Sequence, residues 1–447
     1  MRHFQLQATV TTTCAALALC LGGPKAQDMT FKGGATVGMG EIMQSSDTSS
    51  MHYSRNRIQN ISAKFGMDAR FGEHLLVSAG LGIVDRHYPS GRLNESGGRI
   101  PFIWTPFMVN ANFKYTFWKT EDKTLALTGG YFPYAYNPDV KDLGLYLLRG
   151  PVYPGVLVSG YDSKYTSPNS NTAGIRLQHI SGPFEQNLIL GTETENFPFF
   201  DFSPAYIANV NIGKGLRLGA GVNLYHWIPI DPKLTSPDTV SYSGSDFTNY
   251  TGDPNSRTRI YVDSVAQDTT YMSFKGTKVM ADFSFDPKAF FDAAAFGPDD
   301  LKLYGEVAMI GLDYSKPYKA LYGGMSERIP IMVGFNFPVF NYLDHLSLEV
   351  EWYGSKVKDD LARLQSTSGA WQSSLPVPNT HNLNLERDDW KWAFHATKTF
   401  GHVQLLAQVA NDHSRSSGTQ TAPGSEWETF FIAPTDWYWI GKIGFFF

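Results

Sequence analysis

Between Phe31 and Phe447 apolar and polar residues alternate with a period of two, the signature of strands whose two faces meet different surroundings. In the segment 61–71, Ile61, Ala63, Phe65, Met67, Ala69 and Phe71 face one side while Ser62, Lys64, Gly66, Asp68 and Arg70 face the other. Val109, Ala111, Phe113, Tyr115 and Phe117 interleave with Asn110, Asn112, Lys114 and Thr116. Ile329 to Phe337 and Leu346 to Tyr353 follow the same rule. Strands of a soluble sandwich run to about 5–6 residues. A strand that crosses a bilayer needs about 9–11, and these runs have that length.

Two bulk numbers agree with this reading. Aromatic residues make up 14% of the 447, yet the mean hydropathy is −0.24. A helical membrane protein needs runs of about 20 apolar residues, and none follows the first thirty positions. Alternation hides an apolar surface from the average, so a barrel keeps a low mean hydropathy.

The connections alternate between short and long. Short turns fall near Gly72-Glu73, Lys119–Lys123, Ser181–Pro183, Gly213–Gly215, Val339–Asp344 and Gly401-His402. Long polar stretches fall near 44–57, 86–101, 134–171, 194–202, 229–269, 313–326, 356–387 and 414–434. Pro287 to Phe296 reads as a small amphipathic helix on the short-turn side. Counting strands between these connections gives about 16, the even number that leaves both termini on one side. The expected fold is all-β: one transmembrane antiparallel up-and-down barrel over residues 27–447, with long external loops and short periplasmic turns.

Strands descending toward the short turns end on Phe71, Phe117, Phe285, Phe337, Phe400 and Phe447, all in the apolar phase. Aromatics at one level form the girdle where bilayer meets water. The last strand, Trp437 to Phe447, places Trp439, Ile443, Phe445 and Phe447 on the outer face. It resembles the C-terminal assembly signal of Gram-negative outer-membrane barrels, and that resemblance implies the barrel-assembly machinery as a partner. Outer-membrane lipid and lipopolysaccharide are implied with it.

The N-terminus reads as a secretory signal over residues 1–26: Arg2 and His3, then an apolar stretch from Ala8 to Leu21, with cleavage after Ala26. Leu17-Ala18-Leu19-Cys20 looks like a lipoprotein box, but Leu19 is too large before a modified cysteine. Both cysteines, Cys14 and Cys20, leave with this segment, which excludes disulfides and cysteine metal sites from the mature chain. Loss of Arg2 and Lys25 takes the formal charge from −5 to −7. An acidic chain gives no support to nucleic-acid binding.

Strand number and loop position resemble the general porins, whose third loop folds into the barrel as a constriction. The corresponding segment is Ala135 to Asn171, between the fifth and sixth strands. Asn137-Pro138-Asp139 reads as a helix start, with Val140 to Leu148 as a short helix ended by Arg149 and Pro151. Asp139, Lys141, Asp142 and Arg149 are the candidate constriction charges. The loop lacks the acid-rich character of general-porin constrictions, so the resemblance implies no cation preference.

Pore-lining candidates on the inner phase are Lys64, Asp68, Arg70, Lys114, Arg176, Arg217, Asp282, Glu306, Glu349 and Glu351. About 16 strands leave an aqueous lumen, so these charges are expected to be solvated and to set its field. Tyr438, Trp118 and Phe446 fall on the same phase but make no ladder of sugar-stacking steps. The expectation is passive diffusion of small hydrophilic solutes with no cofactor, metal or catalytic residues, in a homotrimer by analogy. Two other readings stand beside it. An adhesin would bind polysaccharide through the loops 229–269 and 356–387. A hydrolase would assemble a Ser/His or Asp/His cluster from separate strands, although H-E-x-x-H and G-x-S-x-G are absent and His226 and His395 read as wall residues.

Overall fold

The computed structural model describes residues 28–44, 55, 57–87, 105–148, 170–192, 201–225, 227–230, 238–242, 258–263, 268–273, 276–310, 312, 326, 329–353, 390–411 and 435–447. The expected signal segment, residues 1–26, lies outside them.

The alternating runs become strands. In order they are β1 (Asp28–Gln44), β2 (Arg57–Phe71), β3 (Leu75–His87), β4 (Thr105–Lys119), β5 (Lys123–Tyr134), β6 (Ser170–Ser181) and β7 (Phe184–Thr192). Next come β8 (Phe202–Ile212), β9 (Leu216–Tyr225), β10 (Asp238–Tyr242), β11 (Thr258–Asp263), β12 (Asp268–Ser273) and β13 (Gly276–Phe285). The rest are β14 (Leu303–Ile310), β15 (Ile331–Asn336), β16 (His345–Trp352), β17 (Trp390–Phe400), β18 (Val403–Ala410) and β19 (Trp437–Phe446).

Among the described residues sixteen of these strands close one antiparallel barrel, in chain order except that β9 pairs directly with β13. The ring shuts where β1 meets β19. Gly33 and Phe447 exchange both backbone hydrogen bonds there, each at 3.0 Å, so Phe447, next after β19, completes the seam. Closure removes the unpaired edges that no bilayer tolerates. Among the described residues no helix is long and apolar enough to cross a membrane.

The turn chemistry explains the two unequal ends. Gly72, Gly182, Gly213 and Gly401 take positive φ in the tight turns, where a side chain would be strained. These turns, Asp28 and Phe447 lie at one rim. The outward phase of the wall is apolar and exposed, as Phe65, Leu188, Val333 and Ile443 show. In β16 the inward residues His345, Ser347, Glu349 and Glu351 are buried while Leu346, Leu348, Val350 and Trp352 face out.

Three local expectations need correction. Pro287–Phe290 forms one 3-10 turn, capped by Asp286 accepting from the Lys288 amide, rather than a helix reaching Phe296. Part of the polar stretch 229–269 is sheet: β10 pairs parallel with β11, and β11 antiparallel with β12. Trp118 leaves the inner phase because the β4–β5 register slips between Thr116 and Trp118, which turns its ring outward; it is 49% exposed.

Candidate functional site

The largest apolar cluster lies inside the barrel. The chain leaves β5 at Tyr134 and turns into the lumen, where Val140, Leu143, Leu145, Leu147 and Leu148 bury themselves. They meet wall residues of the inward phase: Ile189 of β7, Ile207 of β8, Met280 of β13, Tyr304 of β14 and Met332 of β15. Each such side chain contributes about 1.5–3 kcal/mol on full burial. The segment 135–148 thus lies inside the lumen along the half of the wall that runs from β5 to β16. Its polar contacts reach β16, which stands eight places from β5 in a ring of sixteen.

The segment is not the helix that Asn137-Pro138-Asp139 suggested. Asn137 Oδ1 does accept from the Asp139 amide at 3.2 Å, an Asx turn. Beyond it Gly144 and Leu145 have φ of +80° and +58°, which no right-handed helix accommodates. A Cβ on Gly144 would also stand 2.7 Å from Met332 Cε.

This irregular backbone frees its amides, and two wall glutamates take them. Lys141, Asp142 and Leu143 donate from three successive N–H groups to Glu349, at 2.6, 2.8 and 2.7 Å. Leu145 and Tyr146 donate theirs to Glu306, both at 2.8 Å. Convergent amides of this kind make an anion-binding nest. Phenols complete both shells: Tyr304 donates to Glu349 at 2.9 Å and Tyr136 to Glu306 at 2.6 Å. Tyr304 reaches across β15 because Gly334 is its register partner, and a Cβ there would lie 2.2 Å from the ring.

Further bonds fasten the rest of the loop. Tyr146 donates to Glu351 at 2.7 Å, whose other oxygen faces Lys391 at 3.7 Å. Lys278 donates to the Tyr146 carbonyl at 3.0 Å, and Asn223 to that of Leu147 at 2.9 Å. Arg217 bridges the Tyr136 carbonyl and Asp282. Asp139 accepts from Ser284 and, at 3.0 Å, from Lys302.

Lys302 also holds Asp299 at 2.8 Å on the tight-turn rim. Burial opposes the charge of Asp299, but the Lys302 hydrogen bond and the nearby charges of Lys141 and Lys302 outweigh it and hold its carboxyl below the usual range. Burial likewise works to lower Lys302, and its two aspartates carry it above the ordinary lysine value.

The sequence-derived residues therefore sort into three groups. Glu306, Glu349, Glu351, Asp282 and Asp142 are sealed beneath or within the loop, and Asp139 is 9% exposed. Glu306, Glu349, Glu351, Asp282 and Asp139 fasten the loop through their carboxylates, where solvated lining and constriction charges were expected. Lys64, Asp68, Arg70, Lys114, Lys141, Arg176 and Arg217 remain half-buried or exposed on the inner face or the loop. Arg149 lies outside the described residues. Tyr136, Tyr146, Asn223, Ser284 and Tyr304 are fastenings that sequence reasoning missed, because a polar side chain carries no mark of the distant group that it will bond.

Elsewhere on the wall His345 Nε2 and Ser347 Oγ lie 2.8 Å apart, and the His345 and His395 rings are 5.6 Å apart. Ser347 is fully buried, so its hydroxyl has no approach for a substrate carbonyl. Among the described residues no group of three or more His, Cys, Asp or Glu is placed to hold a metal ion.

A closed sixteen-stranded antiparallel barrel with an apolar outer face and an infolded third loop has the architecture of a general-porin-like outer-membrane barrel. No protein-family model matches the chain, and no curated protein does. Among solved structures it is similar to variants of the porin of Rhodopseudomonas blastica. One variant aligns at TM-score 0.44, and a triple mutant at 0.42. Each is 10% identical, over 94% of this chain and 100% of that one. The architecture rests on the strand pairing itself, not on these alignments.

Proposed function

We propose that the chain is a porin-like channel for passive diffusion of small hydrophilic solutes across the outer membrane. In this reading residues 1–26 are removed on export, the barrel sits among outer-membrane lipid and lipopolysaccharide, and a homotrimer is the working assembly. The observation that carries it is the segment 135–148, held inside the lumen by side chains of the wall rather than standing over the mouth. About sixteen strands enclose a water-filled lumen. A loop that leaves β5 and is fastened as far round as β16 narrows the passage and gives it fixed walls.

The test is single-channel conductance of the refolded, signal-free protein in a planar bilayer, with and without residues 138–154. Steady ohmic steps that enlarge on deletion are expected. A silent bilayer, from protein that still runs as a folded barrel in an unboiled gel, overturns the reading.

A further inference from the structure

The inner face carries charges of both signs, but the loop covers them unequally. Asp142, Asp282, Glu306, Glu349 and Glu351 are each at most 4% exposed, each inside the contact between loop and wall or at its edge. Lys278, Lys391 and Lys442 are buried too, so burial withdraws more negative than positive charge from the lumen. Among the described residues two inner-face acids that stay accessible hold bases, Asp68 with Lys32 at 2.8 Å and Glu185 with Arg176 at 3.4 Å, and a third, Asp28, is exposed at the rim.

The accessible bases are ordered. Strand register pairs Arg70 with Leu76, Leu76 with Lys114, Lys114 with Thr128, and Thr128 with Arg176. From β2 to β6 this row therefore carries a base on every second strand and no acid, and on β1 it ends at Asp28, the register partner of Arg70 at the rim. With strands about 4.8 Å apart the bases recur roughly every 10 Å. Barrel strands tilt by about 35–45°, so a row drawn across them climbs along the pore axis. Arg70 lies beside the strand end at Phe71, while Arg176 is five residues from the end of β6 at Ser181. The row rises to a cavity of about 250 Å³ at the loop, lined by Arg176, Arg217, Glu185, Asn209 and the tyrosines Tyr134 and Tyr136.

We infer that the pore prefers anions, led by Arg70 and Lys114 of this row toward the cavity beside the infolded loop, where Arg176 and Arg217 are already paired with Glu185 and Asp282. This rests on the channel reading above, and it runs against the chain's formal charge of −5. The Debye length at about 0.1 M salt is about 10 Å. That matches the spacing of the row, so an anion leaves the field of one base as it enters that of the next.

The experiment is the reversal potential of the bilayer-inserted protein under a potassium chloride gradient. A chloride-to-potassium permeability ratio of roughly three or more is expected near 0.1 M, falling toward one at about 1 M as screening shortens the field. The double variant Arg70→Glu with Lys114→Glu takes the ratio below one. Lys214→Glu, in the exposed β8–β9 turn, makes the same kind of charge change outside the lumen and leaves it unchanged. Ohmic steps with potassium preference in the unmodified protein overturn the inference and leave the channel standing. A silent bilayer overturns the channel, and the inference with it. Chloride preference that the double variant does not move overturns the role given to the row. If that variant does not fold, the unmodified protein's reversal potential still decides the sign.

Discussion

Glu349 illustrates what a buried carboxylate can do in a membrane barrel. Three consecutive amides and one phenol converge on it, so its charge is solvated by the loop instead of by water. Removing it leaves four buried donors, and each such group costs about 1–3 kcal/mol when unpaired. Glu349→Ala should therefore release the segment 138–143 without opening the barrel, since the wall ladder does not pass through this side chain. Flickering, enlarged conductance and new cleavage within 138–148 by an added protease are expected. Glu349→Gln retains one acceptor oxygen and should show a weaker form of both. Equal, quiet conductance in all three proteins would mean that the loop is held by its leucines alone. The sequence showed Glu349 and Glu306 as inward acids, and alternation could do no more. Their partners are backbone amides some 160 to 208 positions away, and an amide has no residue type to read.

At the scale of elements, the strands were legible and the loop conformation was not. Long alternating runs are set by the two media on either side of the wall, so local sequence carries the information. The loop is set by what it must satisfy across the lumen. Asn137-Pro138-Asp139 signals a helix start, yet a helix would use up the amides that Glu349 and Glu306 need. The 3-10 turn at Pro287–Phe290 is a milder case, in which the start at Pro287 was readable and the length was not. This rim element offers a pH test. Asp299 has its carboxyl held below the usual range, so the stability it contributes is present above the unfolded-state value of about 3.9 and is lost as pH falls through the lower folded value. The difference in heat-induced unfolding midpoint between the unmodified protein and Asp299→Asn should be level from about pH 5 to 8. It should shrink toward zero near pH 3 and below. A difference that survives in strong acid would show that Asp299 acts through its shape rather than its charge.

For the molecule as a whole, the decisive property is that one wall separates two solvents. The sequence showed this as phase, and the outward positions of β7 allow it to be measured in depth. Leu188 sits at the middle of β7 and is 54% exposed; Phe184 begins the strand beside the tight turn and is 53% exposed. To a soluble protein these would be equivalent surface sites, and Arg at either would cost nothing. In a bilayer an outward arginine costs about 2–4 kcal/mol at the midplane and about 0–1 near the interface, where the side chain can snorkel to water. Leu188→Arg should thus lower the unfolding free energy in lipid vesicles by about 2–4 kcal/mol, with Phe184→Arg within about 1 kcal/mol of the unmodified protein. In detergent micelles the gap between the two should narrow, because water reaches the middle of the belt more easily. Equal costs at both positions in vesicles would contradict a membrane-spanning wall and undermine the lumen, the constriction and the ordered bases that depend on it.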